Sequence, residues 1–157
     1  MPEVGRDTMR RAGGGSATLA WGTTLIRLIV GVVFVMHGYL ALVVLGPQAI
    51  AGYISRMGYP ASLAIVLAWY LVAAHLAGGI LIIIGLWTRW AALANIPPMA
   101  SAVLLLHLNQ GFFMKVVEGP AGKSVVGGYE FSLTVLVATI ALALQGAGAA
   151  SVDGVRR

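Results

Sequence analysis

Cysteine is absent from this chain of 157 residues, and charged residues are scarce. Without cysteine the chain cannot form disulfides, thiolate metal sites or a cysteine-based redox centre. Asp, Glu, Lys and Arg together make up only 10% of the residues, against roughly 25% in a soluble globular domain. Hydrophobic residues make up 59%, more apolar surface than a soluble fold of this length can bury. The composition therefore predicts an integral membrane protein, and the lack of a basic surface interleaved with aromatics argues against nucleic-acid binding.

Long apolar runs occupy most of the chain. Roughly 20 helical residues cross the hydrocarbon core of a bilayer, so each run is long enough for one span. The first run is also longer than the apolar region of a cleaved signal peptide, which argues against cleavage. Short connections favour an up-down arrangement, so we predict an all-α, four-helix transmembrane bundle over residues 23–148. Its spans are predicted at residues 24–45, 61–87, 90–108 and 129–146.

The segments outside the spans are polar or amphipathic. Residues 1–22 are rich in Gly, Arg and Ser and are predicted to form a disordered cytoplasmic tail, with a second cytoplasmic tail at 149–157. Apolar residues recur at helical spacing between 50 and 57, which predicts a short amphipathic helix on the membrane surface between the first two spans. Residues 109–129 are interpreted as a Gly-rich polar loop.

The placement of basic residues predicts the orientation. With both termini in the cytoplasm, the inner segments hold six basic residues and the outer loops hold three, as the positive-inside rule expects. Trp21, Trp87 and Trp90 then all fall at the inner interface. The six inner residues are Arg6, Arg10, Arg11, Arg89, Arg156 and Arg157, and the outer three are Arg56, Lys115 and Lys123. A bacterial cytoplasmic membrane is the expected location.

Ionisable residues within or near the spans are the candidate functional residues, because such groups are costly in lipid. Counting along the runs predicts three pairs at three depths. The inner pair is Arg27 with Asp153, the middle pair is His37 with His75, and the outer pair is His107 with Glu130.

The histidines allow several chemistries. They could hydrogen-bond a quinone carbonyl or relay protons, since imidazole titrates near physiological pH. Two at one depth could also ligate a haem iron or a metal, although haem is disfavoured and no metal site is predicted. The alternative is purely structural: each histidine donates a hydrogen bond between helices, and Arg27 is a paired or snorkelling residue.

Small residues mark predicted helix contacts. Gly31 and Gly38 lie seven residues apart on one face of the first helix, and Ala74 and Gly78 form a small-xxx-small pair on the second. Small side chains let helix backbones approach closely, so packing is the preferred interpretation of all four.

Four segments resemble the DoxX family of small bacterial four-helix membrane proteins, which is related to the DoxD subunit of thiosulfate:quinone oxidoreductase. They are RLIVGVVFVMHG from Arg27, HLAGGILIIIGLWTR from His75, GGYEF from Gly127, and GAGAASVD from Gly146. The resemblance covers about residues 24 to 153. By position, Arg27, His37, Glu130 and Asp153 match the family's polar residues.

The resemblance implies a membrane subunit in redox or sulfur metabolism, beside quinones or soluble redox partners. Two departures matter. Family members often carry Glu where this chain has His75, and Lys where it has Leu40 and Ala41. Roles that need that acid or that cation are not expected here.

The sequence thus favours a membrane subunit of a redox complex, linked to quinone, oxidative stress or sulfur metabolism. It would be at most a non-autonomous oxidoreductase subunit, contacting lipid and redox partner proteins and able to form a homo-oligomer. Two alternatives stay open: a small oligomeric transporter or channel subunit, and a membrane scaffold without chemistry. No internal repeat supports the transporter hypothesis.

Overall fold

Most of the residues that the structure describes are helical, which confirms the all-α prediction. The computed structural model describes residues 4–119 and 122–155, with side chains from 16 to 116 and from 127 to 155. The main helices are α1 (Val4–Tyr39), α2 (Pro47–Arg56), α3 (Ala61–Ile84), α4 (Thr88–Ser101), α5 (Glu130–Gln145) and the short α6 (Val152–Val155). Two π-helical segments, Leu40–Leu45 and Ala102–His107, extend α1 and α4, and a 3-10 turn, Leu108–Gln110, follows the second.

Three helical stretches are long and apolar enough to cross a membrane: Ser16–Leu45, Ala61–Ile84 and Thr88–Gln110. The fourth helix, α5, is apolar but has only 16 residues. At 1.5 Å per residue it is about 24 Å long, less than the hydrocarbon core of about 30 Å. Residues beyond its ends must therefore contribute if this segment is to span the bilayer.

Two polar segments differ from their predicted form. Helix α1 begins at Val4, where the sequence predicts a disordered tail over residues 1–22. Once a helix is nucleated, each added residue gains one hydrogen bond, so a long apolar helix can extend into weak helix formers. The predicted loop at 109–129 contains an antiparallel hairpin of β1 (Lys115–Gly119) and β2 (Gly122–Val126). Four β-branched valines in these strands favour that conformation. Residues 1–3, 120–121, Arg156 and Arg157 lie outside the described part of the chain.

Glycine and proline set the helix boundaries. Gly46 has a φ of 81° and Pro47 occupies the first turn of α2, where its missing N–H costs nothing. Gly85 ends α3 in the left-handed conformation with a φ of 71°. The Gly85 N–H donates to the Ile82 carbonyl and the Leu86 N–H to the Leu81 carbonyl, the pattern of a Schellman cap.

Two apolar clusters organise the packing. The larger cluster joins α1, α3, α4 and α5 around Phe34, Ile82, Ala92 and Leu142, all at most 1% exposed. A smaller cluster holds α2 against α3 through Ile54, Ala64 and Ala68. The predicted short helix between the first two spans is thus present as α2, packed on α3.

Candidate functional site

The three histidines line one cavity of about 230 Å³. His37 comes from α1, His75 from α3, and His107 from the end of the π-helical segment that follows α4. Both π-helical segments contribute to the wall, and such segments are frequent at functional sites. Apart from the histidines and one serine, the lining is apolar, and it includes Phe34 and Phe131. We call this space the histidine cavity.

His75 is buried, at 6% exposure, and its ring is fixed by Asn95. The Nδ1 atom of His75 lies 2.8 Å from the Asn95 Oδ1. The Asn95 amide donates to the carbonyls of Ala74 and Ala91, each at 2.9 Å. Because both amide hydrogens are used, Oδ1 is the acceptor and His75 Nδ1 is the donor. The Phe34 ring packs against the imidazole at a centroid distance of 4.9 Å.

His37 is held in the same way by its own helix. Its Nδ1 donates to the Val33 carbonyl at 2.9 Å, and its ring stacks on Phe131 with centroids 6.0 Å apart. A carbonyl oxygen can only accept, so the neutral imidazole carries its proton on Nδ1. His37 and His75 therefore each leave Nε2 as a hydrogen-bond acceptor.

His107 and Glu130 were predicted as a pair, but the structure does not join them. No hydrogen bond or salt bridge connects the two within the described side chains. The Nδ1 atom of His107 is buried without a hydrogen-bond partner, and its ring lines the histidine cavity. Glu130 instead accepts a hydrogen bond from the Met114 N–H at 3.1 Å and fixes the loop before the hairpin. The depth count could not determine which neighbour each group faces.

An apolar groove of about 350 Å³ adjoins the histidine cavity under α2. The two spaces share four lining residues: Ile50, Leu71, Pro98 and Ala102. The Tyr70 hydroxyl donates to the Ala94 carbonyl at 2.6 Å. Ala94 lies four residues before Pro98, which has no N–H to offer that carbonyl. Tyr70 thus supplies the donor that the proline removes.

Arg27 and Asp153 come together at the opposite end of α3, around the turn into α4. Arg27 is only 2% exposed, and its Nη2 donates to the Ala150 carbonyl at 2.9 Å. The Asp153 carboxylate accepts from the N–H groups of Trp87 and Thr88, at 2.9 Å and 3.1 Å. Trp87 holds a left-handed φ of 49°, which is strained for a residue with a side chain. The opposite charges of Arg27 and Asp153 attract each other across this turn.

The predicted packing residues lie at helix contacts. A Cβ on Gly31 would sit 2.6 Å from Ile83 Cγ1, and one on Gly38 would sit 2.7 Å from Leu76, both on α3. A Cβ on Gly78 would sit 2.6 Å from the Asn95 amide on α4. Ala74, which is buried, offers its carbonyl to the same amide. Gly78 and Ala74 thus leave room for the side chain that orients His75.

Sequence reasoning missed Asn95 as the partner of His75 and Tyr70 as the donor beside Pro98. A polar residue one helical turn from a proline in an apolar run was a usable signal for Asn95. Nothing local pointed to Tyr70, because its acceptor lies 24 residues away on another helix.

Comparison with known proteins agrees with the resemblance in the sequence. The DoxX family model matches residues 22–108, more than half of the chain. A Bacillus subtilis (strain 168) protein named "Putative oxidoreductase CatD" is 28% identical over 132 residues, covering 84% of each chain. No solved structure matches the chain. On these matches and its apolar helices, the chain belongs to the DoxX family of membrane proteins.

Proposed function

We propose that this protein is a membrane subunit of a redox complex and binds a quinone head in the histidine cavity. The observation that carries the proposal is the convergence of three imidazoles on one otherwise apolar space. Two of these rings are anchored through Nδ1, and the third has a buried nitrogen without a partner. An apolar site with a few convergent polar groups is typical of cofactor and small-molecule binding.

The imidazoles suit either redox state of a quinone. Oxidation of a quinol releases two protons and two electrons, and the free Nε2 atoms of His37 and His75 can accept the hydroxyl protons. The neutral ring of His107, whose Nδ1 has no hydrogen-bond partner, can instead donate an N–H to a carbonyl of the oxidised form. The electrons would be exchanged with a partner protein, because the chain lacks cysteine ligands for a thiolate-bound metal centre. The name of the Bacillus subtilis relative supports oxidoreductase chemistry.

The apolar groove supports the same proposal. It continues from the histidine cavity through shared wall residues, and its lining is dominated by aliphatic and aromatic side chains. A lipid-soluble quinone carries an apolar tail that needs such a surface once its head enters a polar pocket. We place the protein in a bacterial cytoplasmic membrane as an up-down bundle with both termini inside, as the basic residues predict.

The test is the content of the protein purified in mild detergent. Its lipid extract should contain quinone in a fixed ratio to protein, or a redox partner should copurify. The His37→Phe and His75→Phe variants should lose most of that quinone, whereas Arg56→Gln should keep it. Arg56 is a matched control because its guanidinium stacks over Tyr53, 4.4 Å from the ring centroid, and does not line the histidine cavity.

Two results would count against the proposal. One is the absence of both quinone and partner in the wild-type preparation. The other is equal quinone retention in all variants, which would place the ligand elsewhere. An absorption spectrum recorded on the same sample checks for haem, because a Soret band would redirect the assignment of the histidines to iron ligation.

A further inference from the structure

We infer that the end of the bundle around Arg27 carries a separate site for the phosphate group of an anionic phospholipid. A cavity of about 380 Å³ lies there between the start of α4 and the segment that follows α5. Its lining includes Trp87, Arg89, Trp90, Gln145 and Asp153, and none of the histidines. It shares no lining residue with the histidine cavity, where the quinone is proposed to bind.

Arg89 supplies the positive charge. Its side chain is exposed and makes no hydrogen bond or ion pair within the described part of the chain. The guanidinium lies beside Gly146, where a Cβ would be only 3.2 Å from Arg89 Nε. Gln145 adds a neutral polar group to the lining, and its amide contacts the Thr23 hydroxyl at 2.8 Å. A guanidinium beside a polar amide suits the oxygens of a phosphate.

The charge balance of the cavity favours an anion. Asp153 is the acidic residue in the lining, but its carboxylate already accepts from two backbone N–H groups and faces the buried charge of Arg27. Arg89 therefore remains as the uncompensated charge. A monoanionic phosphate diester would neutralise it without displacing Asp153.

The surroundings point to a lipid rather than a free phosphate. Trp87 and Trp90 line the cavity and are 61% and 74% exposed, and Leu144, which precedes the lining residue Gln145 in the chain, is 73% exposed. Exposed indoles at the end of a membrane helix favour the headgroup zone of a bilayer. A lipid phosphate bound to Arg89 would lie at that depth, and its acyl chains would cover the exposed Leu144 and the adjoining apolar helix surface.

Native mass spectrometry of the full-length protein tests the site, with dioleoylphosphatidylglycerol and dioleoylphosphatidylcholine as the probes in detergent. We expect the wild type to prefer phosphatidylglycerol, and Arg89→Gln to lose about tenfold in affinity for it, as for one charge-assisted hydrogen bond. Arg56→Gln removes an exposed arginine elsewhere and should retain the preference. Arg89→Lys keeps the positive charge and should retain most of the affinity for phosphatidylglycerol.

Circular dichroism of each variant keeps the result interpretable, and Gln145→Met reports on the site if Arg89→Gln does not fold. That variant should weaken phosphatidylglycerol binding by a smaller factor. Equal losses in Arg89→Gln and Arg56→Gln, or no loss in Arg89→Gln, would overturn the inference. Inorganic phosphate that displaces phosphatidylglycerol at millimolar concentration would overturn the lipid assignment. Loss of quinone with retained phosphatidylglycerol binding would reject only the proposed function.

Discussion

The Arg27–Asp153 cluster and the histidine cavity both hold ionisable groups next to membrane helices, but they differ in how those groups are satisfied. At the cluster, Asp153 accepts from the N–H groups of the α3–α4 turn, and Arg27 Nη2 donates to the Ala150 carbonyl. Arg27 Nε and Nη1 are buried without a hydrogen-bond partner, so Arg27 is only partly satisfied. In the cavity, His37 and His75 each use one ring nitrogen, and His107 has a buried nitrogen with no partner.

This difference indicates a structural role for the Arg27–Asp153 cluster and a ligand-binding role for the histidine cavity. The Asp153 carboxylate, whose partners are backbone N–H groups, closes the turn. The unpartnered nitrogens of Arg27 belong to a buried side chain that lines neither the histidine cavity nor the cavity beside Arg89. A ring that is anchored on one side and open on the other is oriented yet still able to bind. Substitutions in the cluster should therefore change stability more than ligand binding, and substitutions at the cavity should do the reverse.

The largest effect is expected for Asp153→Ala. The change removes both acceptors of the strained α3–α4 turn and leaves Arg27 buried without its opposing charge. Hydrogen bonds to charged groups contribute about 1.5–3 kcal/mol each, so the loss of two should lower the free energy of unfolding by about 3 kcal/mol. Unfolding by a denaturing detergent in mixed micelles measures it. Quinone bound per folded molecule should stay unchanged.

Asp153→Asn is the matched variant for this measurement. It keeps one side-chain acceptor for the turn and removes the charge, so its loss of stability should be intermediate. If Asp153→Ala were as stable as the wild type, the cluster would not be the structural anchor that the geometry indicates.

The next largest effect is expected at the histidine cavity, for Asn95→Ala. Asn95→Ala removes the tether of His75 and two hydrogen bonds to carbonyls. Hydrogen bonds between membrane helices average about 0.6 kcal/mol each, so stability should fall by about 1–2 kcal/mol. The freed His75 ring should weaken quinone binding about fivefold, which corresponds to about 1 kcal/mol. Quinone titration of the purified variant measures the binding loss.

Thr139→Ala serves as the control. Thr139 is fully buried on α5, its hydroxyl donates to the Val135 carbonyl at 2.7 Å, and it lines neither the histidine cavity nor the groove. Its loss should lower stability without weakening quinone binding. Equal weakening in both variants would show that general loosening, not the position of His75, controls the site.

The comparison also shows what the sequence could predict. An apolar run of about 20 residues can be recognised in the sequence alone, without knowledge of the tertiary structure. The second predicted span, at 61–87, accordingly contains α3 at Ala61–Ile84. Counting depth along the runs placed His37 beside His75 and Arg27 beside Asp153. These two predicted pairs depend only on the rise per residue of a helix and on the assumption that successive helices are antiparallel.

Rotation about a helix axis is not constrained in the same way. The sequence paired His107 with Glu130 by depth, but the irregular π-helical end of α4 turns His107 into the cavity, while Glu130 meets the loop at Met114. Asn95 and Ala150 were missed as partners because each contact joins residues far apart in the chain. Tertiary packing, not local pattern, decides such pairs.

The smallest expected effect tests whether the wall of the histidine cavity depends on Tyr70. Tyr70→Phe removes the donor to the Ala94 carbonyl and should cost about 0.6 kcal/mol. Pro98→Ala supplies a helix N–H to the same carbonyl, so Tyr70→Phe should cost little in that background. A double-mutant cycle of unfolding free energies measures the coupling. Equal costs of Tyr70→Phe with and without Pro98 would mean that the hydroxyl acts through its packing in the groove and does not compensate for the proline. A coupling energy close to the full cost of Tyr70→Phe would show that the hydroxyl compensates for the N–H that Pro98 lacks. Tyr70 would then be a second hydrogen-bonded connection between α3 and α4, in addition to the one that Asn95 makes with His75 and Ala74.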